Sequence, residues 1–421
     1  HIQNHIQSNT NKRTVKRRSN TKPYHAIISA YTMKAVVLAA GTGRRLWPLT
    51  ENRPKPMIPV RNRPILEHII EALGAAGVTE VILVIGANRN RVRSYFQNGQ
   101  EYAVDISYVI QDEQLGTAHA LLQAEALLGD SFLVLNGDRI VESSIIDDVW
   151  ETHQISDNPV LAITQAATPS RYGVVDMNEE FAKGITEQPR PESVTSEFIN
   201  AGVYAFTPGV FSAIRALDVH GEQALTDVLT SFIDDKRLRA VRYDGLWADV
   251  SEPWDLLAVN DSLLAYHGPS DRGNQTAQID ASAVVSDDAV LGDDVVIHPQ
   301  AAISHSVTLG ANVQIGPGVI VENAVILSDV TIDSGVVVTD CIVGANTTLG
   351  ANTTVEGGNA DVVLDDTVYH EVSFGGLIGD NVSIGGNVTI TPGTIIGNDT
   401  TIKSGASVSG RIPADSHVQR G

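Results

Sequence analysis

The chain has 421 residues, 43% of them hydrophobic, and a formal net charge of −21. That length accommodates two or three domains, and no run approaches the ~18 apolar residues of a membrane span. Cys341, the only cysteine, can form neither an intramolecular disulfide nor a four-ligand zinc motif, so a reducing, cytoplasmic setting fits best.

Residues 1–32 hold six of the 29 basic residues (Lys12, Arg13, Lys16, Arg17, Arg18, Lys22) and no acid. They lack the apolar stretch of a secretory signal. We read them as an upstream extension or mis-called start that is disordered, in preference to a nucleic-acid-binding arm. Without them 23 Lys and Arg face 50 Asp and Glu, and only Lys34, Lys55, Lys183, Lys236 and Lys403 remain as lysines. Such a surface reads as halophilic, its self-repulsion screened by concentrated salt. The same charge opposes nucleic acid or an anionic membrane as partner.

From Met33 the chain is strongly patterned. Lys34–Leu38, Val81–Ile85, Ile106–Val109 and Phe132–Leu135 read as strands. Ile65–Leu73, Val92–Phe96 with its flanks and Thr117–Leu128 read as the helices between them. The alternation predicts an α/β domain over residues 33–266, Rossmann-like with a mostly parallel sheet, whose ligands sit at the carboxyl ends of the strands. The apolar pattern stops over 267–276, which we read as a linker.

Over residues 277–413 the period becomes six. Aliphatic residues recur at Ile279, Val285, Leu291, Ile297, Ile303, Leu309, Ile315 and Val321. The frame slips around Leu327–Val338, resumes at Val343, Leu349 and Val355, and breaks over Gly357–Gly376. It then returns at Ile378, Ile384, Ile390, Ile396, Ile402 and Val408. Period six suits neither a helix nor a simple strand, but it suits a three-faced solenoid with one inward aliphatic per face: a left-handed parallel β-helix of hexapeptide repeats. Such a helix commonly assembles or spaces subunits, so a homo-oligomer, a trimer first, is expected. If that is its main role, cutting near Gly268 should leave the α/β domain as a soluble, active monomer.

The first strand runs into Leu38-Ala39-Ala40-Gly41-Thr42-Gly43-Arg44-Arg45-Leu46, followed by Pro48-Leu49-Thr50 and Arg53-Pro54-Lys55-Pro56. Small residues let backbone N–H groups approach a phosphate, and fixed arginine and lysine charges neutralise it. A dinucleotide fingerprint would need glycine at 46, which is leucine, and the Walker Gly-Lys-Ser/Thr is absent.

These segments resemble the nucleoside-diphosphate-sugar pyrophosphorylases, the sugar-1-phosphate nucleotidylyltransferases, over nearly everything from Met33 onward. The resemblance implies Leu38, Ala39, Ala40, Gly41 and Gly43 around the nucleotide, and Arg45 and Lys55 on its triphosphate. Arg44 departs from the family's threonine. Gln111 with Gly116 and Thr117 matches the family's base-reading segment; a glutamine amide both donates and accepts, as a uracil or thymine edge requires. His119 is left as a helix residue without a role. Asp138, closing Leu133-Val134-Leu135-Asn136-Gly137-Asp138, and Asp249 resemble the family's Mg²⁺ ligands, oxygen donors of the kind that ion prefers. Gly173, Glu187 and Asn200 lie in the segments that hold the sugar. Gln188 stands where many relatives carry lysine, with Arg190 nearby as a possible substitute.

The implied reaction is attack of a sugar-phosphate oxygen on the α-phosphorus of UTP or dTTP, releasing pyrophosphate. A catalytically dead assembly subunit of the same fold is the alternative, disfavoured because Arg45, Lys55, Asp138 and Asp249 all persist. Some relatives of this domain order also acetylate glucosamine 1-phosphate in the β-helix, using a histidine in His-x-x-Tyr before Gly-Asp. Aligning Asp340 with that aspartate puts Ser334 and Val337 at the histidine and tyrosine, and leaves Asn359 a loose match to a later asparagine. His298 and His305 come too early and His370 has the wrong neighbours, so no acetyl transfer is expected.

Overall fold

The computed structural model describes residues 33–86, 89–217, 221–268 and 276–419. The expected disordered extension over 1–32 and most of the expected linker lie outside these. Residues from Met33 onward form one compact unit.

The first part is a three-layer α/β domain. Its strands are β1 (Lys34–Ala39), β2 (Pro59–Val60), β3 (Arg63–Pro64), β4 (Glu80–Ile85), β5 (Asp105–Ile110), β6 (Phe132–Asn136), β7 (Arg139–Val141), β8 (Val160–Gln165), β9 (Gly173–Asn178), β10 (Phe181–Glu187), β11 (Phe198–Phe206), β12 (Arg239–Arg242) and β13 (Trp247–Asp249). Its helices are α1 (Leu49–Asn52), α2 (Ile65–Ala75), α3 (Arg89–Phe96), α4 (Thr117–Leu122), α5 (Ser143–Ser156), α6 (Gly209–Ala216), α7 (Leu225–Asp234) and α8 (Pro253–His267).

The nine-stranded sheet has the order β5-β4-β1-β6-β11-β8-β12-β10-β9. It is parallel across β5, β4, β1 and β6, as expected. Beyond β6 it is mixed, a departure from the mostly parallel sheet predicted. The tight β9–β10 hairpin and the reversed β11 impose antiparallel pairing there. Successive side chains of β1 point to opposite faces: Ala35, Val37 and Ala39 pack with α2 and α5, Val36 and Leu38 with α4, α6 and α7. Burial on both faces is why these strands read as unbroken aliphatic runs.

The second part is the expected left-handed β-helix. Ile279, Ile297 and Ile315 stack in register at one coil per 18 residues. Two coils are one residue shorter, so Ile315 stacks on Ile332 and Ile332 on Leu349. The slip seen in the sequence is thus two five-residue steps, Val321 to Ile326 and Val338 to Val343, where two short strands fuse into Ile320–Ile326 and Val337–Val343. Asn323 and Asp340 bend these strands at φ 44° and 51°, and the Asn323 amide donates to Asp340 at 2.7 Å.

On the third face the residue before the inward aliphatic is apolar on four successive coils. Val325, Ile342, Leu377 and Ile395 stack in register on successive coils, face outward and join the core of the α/β domain. The interrupted stretch is a hairpin, Asn359–Leu364 paired with Thr367–Ser373. It projects from the solenoid and buries Val362, Leu364 and Phe374 in the same shared core. Polar contacts pin the seam. One guanidinium nitrogen of Arg53 donates to both Asp380 oxygens at 2.8 and 2.7 Å, and both side chains are buried. The Asn398 amide donates to the Pro48 carbonyl at 3.1 Å and to Glu51 at 2.7 Å. Asn260 of α8 accepts from Thr308 at 2.8 Å. The β-helix is therefore built onto the α/β domain instead of trailing behind it.

Candidate active site

β1 delivers the chain into the glycine-rich loop at its carboxyl end, and buried Leu46 and Leu49 anchor the far side of the loop in the core. Gly43 has φ 65°, and a Cβ there would come within 2.8 Å of the Lys55 Cβ. Glycine is what lets the loop fold back across Lys55. Among the described residues the amides of Gly41 and Thr42 donate to no protein acceptor. Open amides beside cationic side chains make an anion cradle.

Lys55 reaches across to β6, its Nζ 2.6 Å from Asp138 Oδ2. Asp138 lies in the turn between β6 and β7, two residues beyond the strand it was expected to close. β7 pairs with β13 so that Arg139 stands opposite Asp249. The Arg139 guanidinium forms an ion pair with Asp249, and its Nε lies 3.7 Å from Asp138 Oδ1. It is flanked by the rings of Tyr172 and Trp247, with centroids at 5.4 and 5.2 Å. The two predicted metal ligands are thus brought to either side of one largely buried arginine, its side chain 16% exposed. Desolvation alone would raise the Asp138 carboxyl, but Lys55 and Arg139 outweigh it and hold the group well below the usual carboxylate range.

Arg45 donates to Glu252 Oε1 at 3.1 Å. Glu252 also meets Arg171, which forks onto Asp255 at 3.2 and 2.7 Å. Tyr369, on the solenoid's hairpin, donates its hydroxyl to Glu252 Oε1 at 3.2 Å.

On the other side of the loop is a small pocket of about 210 Å³, lined by Leu38, Ala40, Gly41, Gln111, Gly116 and Thr117 among others. Gln111 is buried at the end of β5, and its amide nitrogen lies 3.2 Å from the Gly116 carbonyl and 3.0 Å from His119 Nδ1. His119, assigned no role from sequence, thus helps orient that amide. The Thr117 hydroxyl accepts the Leu225 N–H at 2.8 Å and ties α4 to α7. Ala39 faces the core.

The expected sugar residues cluster beside Arg139. Gly173 and Glu187 stand opposite one another on β9 and β10, and a Cβ at 173 would come within 2.9 Å of Glu187 Oε1. Desolvation raises the Glu187 carboxyl, against the Thr226 hydrogen bond and the charge of Arg139. Asn200 Oδ1 accepts from Gly202 N–H and the Tyr204 hydroxyl, both at 2.9 Å. Gln188 has a left-handed backbone, φ 41°, and its N–H bonds the Tyr172 carbonyl at 3.0 Å.

Sequence reasoning missed Arg139, Glu252, Arg171 and Tyr369. The first could have been suspected from an arginine directly after Gly-Asp at a strand end; Tyr369 lies in a stretch that carried no readable pattern. In the solenoid, His305 lies 3.8 Å from Glu322 on the next coil, and His370 lies 3.1 Å from Asp361 on the hairpin. Among the described residues no group of three or more His, Cys, Asp or Glu could hold a metal. Asp138 and Asp249 form a pair, and Mg²⁺ takes one or two carboxylates with phosphates completing its shell, so the donor set fits that ion. No helix of the described residues is long and apolar enough to cross a membrane.

The chain is 39% identical over 235 residues to the bifunctional protein GlmU of Methanococcus maripaludis, covering 55% of this chain and 54% of that protein. It is 32% identical over 247 residues to the low-salt glycan biosynthesis nucleotidyltransferase Agl11 of Haloferax volcanii, covering 57% and 69%. A solved UDP-glucose pyrophosphorylase in complex with UDP-glucose is 25% identical with a TM-score of 0.51, over 56% of this chain and all of that one. The chain thus spans about half the length of the first curated relatives it matches. Residues 273–374 match a GMPPB C-terminal domain and 375–410 bacterial transferase hexapeptide repeats. With residues 34–266 matching the nucleotidyl transferase family end to end of the α/β domain, the chain belongs to that family.

Proposed function

We propose that the protein is a sugar-1-phosphate nucleotidylyltransferase, converting UTP or dTTP and a sugar 1-phosphate to a nucleoside-diphosphate sugar and pyrophosphate. The observation that carries this reading is the convergence of Lys55, Asp138, Arg139 and Asp249 between the open-amide loop on one side and the Gly173, Glu187 and Asn200 cluster on the other.

In this reading the nucleoside lies in the pocket of Leu38, Ala40, Gly41, Gln111, Gly116 and Thr117, and Gln111 reads the base edge. The loop amides and Arg45 hold the triphosphate, and Lys55 neutralises charge on the α-phosphate. Glu187 and Asn200 hold sugar hydroxyls, with Gly173 leaving room for the ring. A sugar-phosphate oxygen forms a bond to the α-phosphorus as the bond to the β-phosphate oxygen breaks, and pyrophosphate leaves with that electron pair. The nucleophile is already anionic, so no general base is needed; alignment and charge stabilisation supply the rate. Asp138 and Asp249 would hold Mg²⁺, which when bound supplies further neutralisation of the phosphates. Both carboxylates are engaged by Lys55 and Arg139, and these cations are the groups a metal would relieve.

The β-helix in this reading is structural and assembling, as a homotrimer, with no acetyl transfer. Ser334 and Val337 offer no base at the positions that reaction would use. The protein works in a salt-rich cytoplasm. Pyrophosphate release measured with a panel of nucleoside triphosphates and sugar 1-phosphates tests the proposal. Turnover with a uridine or thymidine triphosphate is expected, and no release with any pair would overturn it. Light scattering on the eluting species reads the oligomer, and CoA release from acetyl-CoA with glucosamine 1-phosphate would refute the inert solenoid.

A further inference from the structure

We infer that the β-helix completes the nucleotide site, and that Arg411, on the solenoid, contacts the terminal phosphates of the triphosphate and of the departing pyrophosphate. The inference rests on the reaction proposed above.

The glycine-rich loop has two concave sides. Gly41 and Thr42 line the pocket shared with Gln111, and the same two residues line a second cleft of about 400 Å³. The far wall of that cleft is the solenoid, through Arg411 and Asp365. A nucleotide with its base at Gln111 and its phosphates over the loop points its terminal phosphates toward this second cleft.

Arg411 arrives there by construction. It stands in register beside Ile395, so it ends the outward-facing stack of Val325, Ile342, Leu377 and Ile395 at the place where that stack meets the loop. Its guanidinium lies 4.1 Å from the centroid of Trp47, on the loop itself. A stacked guanidinium is held in place with its N–H fork still available. Arg44, the residue that departs from the family's threonine, lines the same cleft. Among the described residues neither arginine has a carboxylate or hydrogen-bond acceptor, whereas Arg45, Arg53, Arg139 and Arg171 are all paired. Two guanidinium groups without a carboxylate partner thus line the same cleft as two open amides, in a chain where Asp and Glu outnumber Lys and Arg 50 to 29, and they suit a phosphate. The cleft holds two carboxylates. Glu51 is engaged by Trp47 Nε1 at 2.6 Å and Asn398 at 2.7 Å, which leaves Asp365, at the hairpin's tip, as the one acid opposing an anion there.

The two residues therefore give opposite predictions. In the full-length protein, Arg411→Gln should raise the KM for the nucleoside triphosphate and the inhibition constant of pyrophosphate by about tenfold, the loss of one charge-assisted contact. The KM for sugar 1-phosphate should stay put. Arg411→Lys should recover part of the loss, and Asp365→Asn should shift both constants the other way. A purely structural Arg411 would move the melting temperature and leave the pyrophosphate constant alone; an unchanged pyrophosphate constant in a folded Arg411→Gln variant overturns the inference. Calorimetric titration of pyrophosphate into wild type and Arg411→Gln separates the two readings. Weaker pyrophosphate binding in the variant supports Arg411 even if no substrate pair turns over, and equal binding alongside normal turnover removes Arg411 while the reaction stands.

Discussion

Arg139 organises the centre of the site. It is surrounded by Asp249, Asp138 and two aromatic faces, and removing either carboxylate leaves a largely buried cation short of a partner. Asp138→Asn and Asp249→Asn are therefore expected to lower turnover by on the order of 10²–10³-fold, from loss of charge on the phosphates. Near-normal kinetics in either variant would take that residue out of the metal pair. Away from the site, His68 of α2 donates its Nε2 hydrogen to the Val60 carbonyl at 3.2 Å. Burial, with Arg63, His267 and Arg61 nearby, pushes its pKa down from 6.5 to about 4. The folded state keeps His68 neutral where the unfolded chain would protonate it. Its contribution is whole above pH 6.5 and is lost as pH falls toward 4, a total of about 3 kcal/mol. Urea melts across that window should show a shallower acid loss in His68→Gln, and an identical slope would refute the assignment.

At the scale of elements, the parallel strands and the six-residue repeat were legible because one buried face writes a period into the sequence. The phosphate loop was legible because open amides and cations must sit at fixed spacing. The docking stack was harder to see. The residue before the inward aliphatic is polar in about half of the hexads, as at Thr308, Thr331, Thr348 and Thr401, and apolar in the rest, at Val284, Val296, Ile320 and Val337 as well as at Val325, Ile342, Leu377 and Ile395. That doubling is visible once sought, but it does not name the surface it covers. Sequence therefore suggested a detachable solenoid, and the shared core argues the reverse. Each of the four aliphatics contributes about 1.5–3 kcal/mol by burial, and a cut near Gly268 exposes the face they cover. The fragment 33–268 is expected to aggregate or to melt well below the full chain. A soluble fragment with full transfer activity would show that the seam is dispensable. Ile342→Ala should cost about 2–5 kcal/mol, read from a chemical melt of the whole protein.

For the molecule as a whole, one apolar core spanning catalytic domain and solenoid predicts a single cooperative unfolding transition where two would mark independent domains. Net charge sets its salt dependence. At −21 the folded surface repels itself, and molar salt shortens the screening length to about 3 Å. Raising KCl from 0.1 to 2 M is expected to increase the melting temperature by roughly 5–10 °C, equivalent to a few kcal/mol. A flat profile would leave the acidic surface without a thermodynamic role.

The stack of Val325, Ile342, Leu377 and Ile395 also has a consequence for the order of synthesis. The α/β domain ends at His267, while the last aliphatic that covers its exposed flank is Ile395. At a ribosome's pace of about 5–20 residues per second, roughly ten seconds separate the two. Through that interval the nascent catalytic domain carries an uncovered apolar flank, and the coils that will cover it are added one at a time. Binding of a holdase chaperone to stalled nascent chains should accordingly rise once residue 268 has left the exit tunnel and fall only after Ile395 has followed.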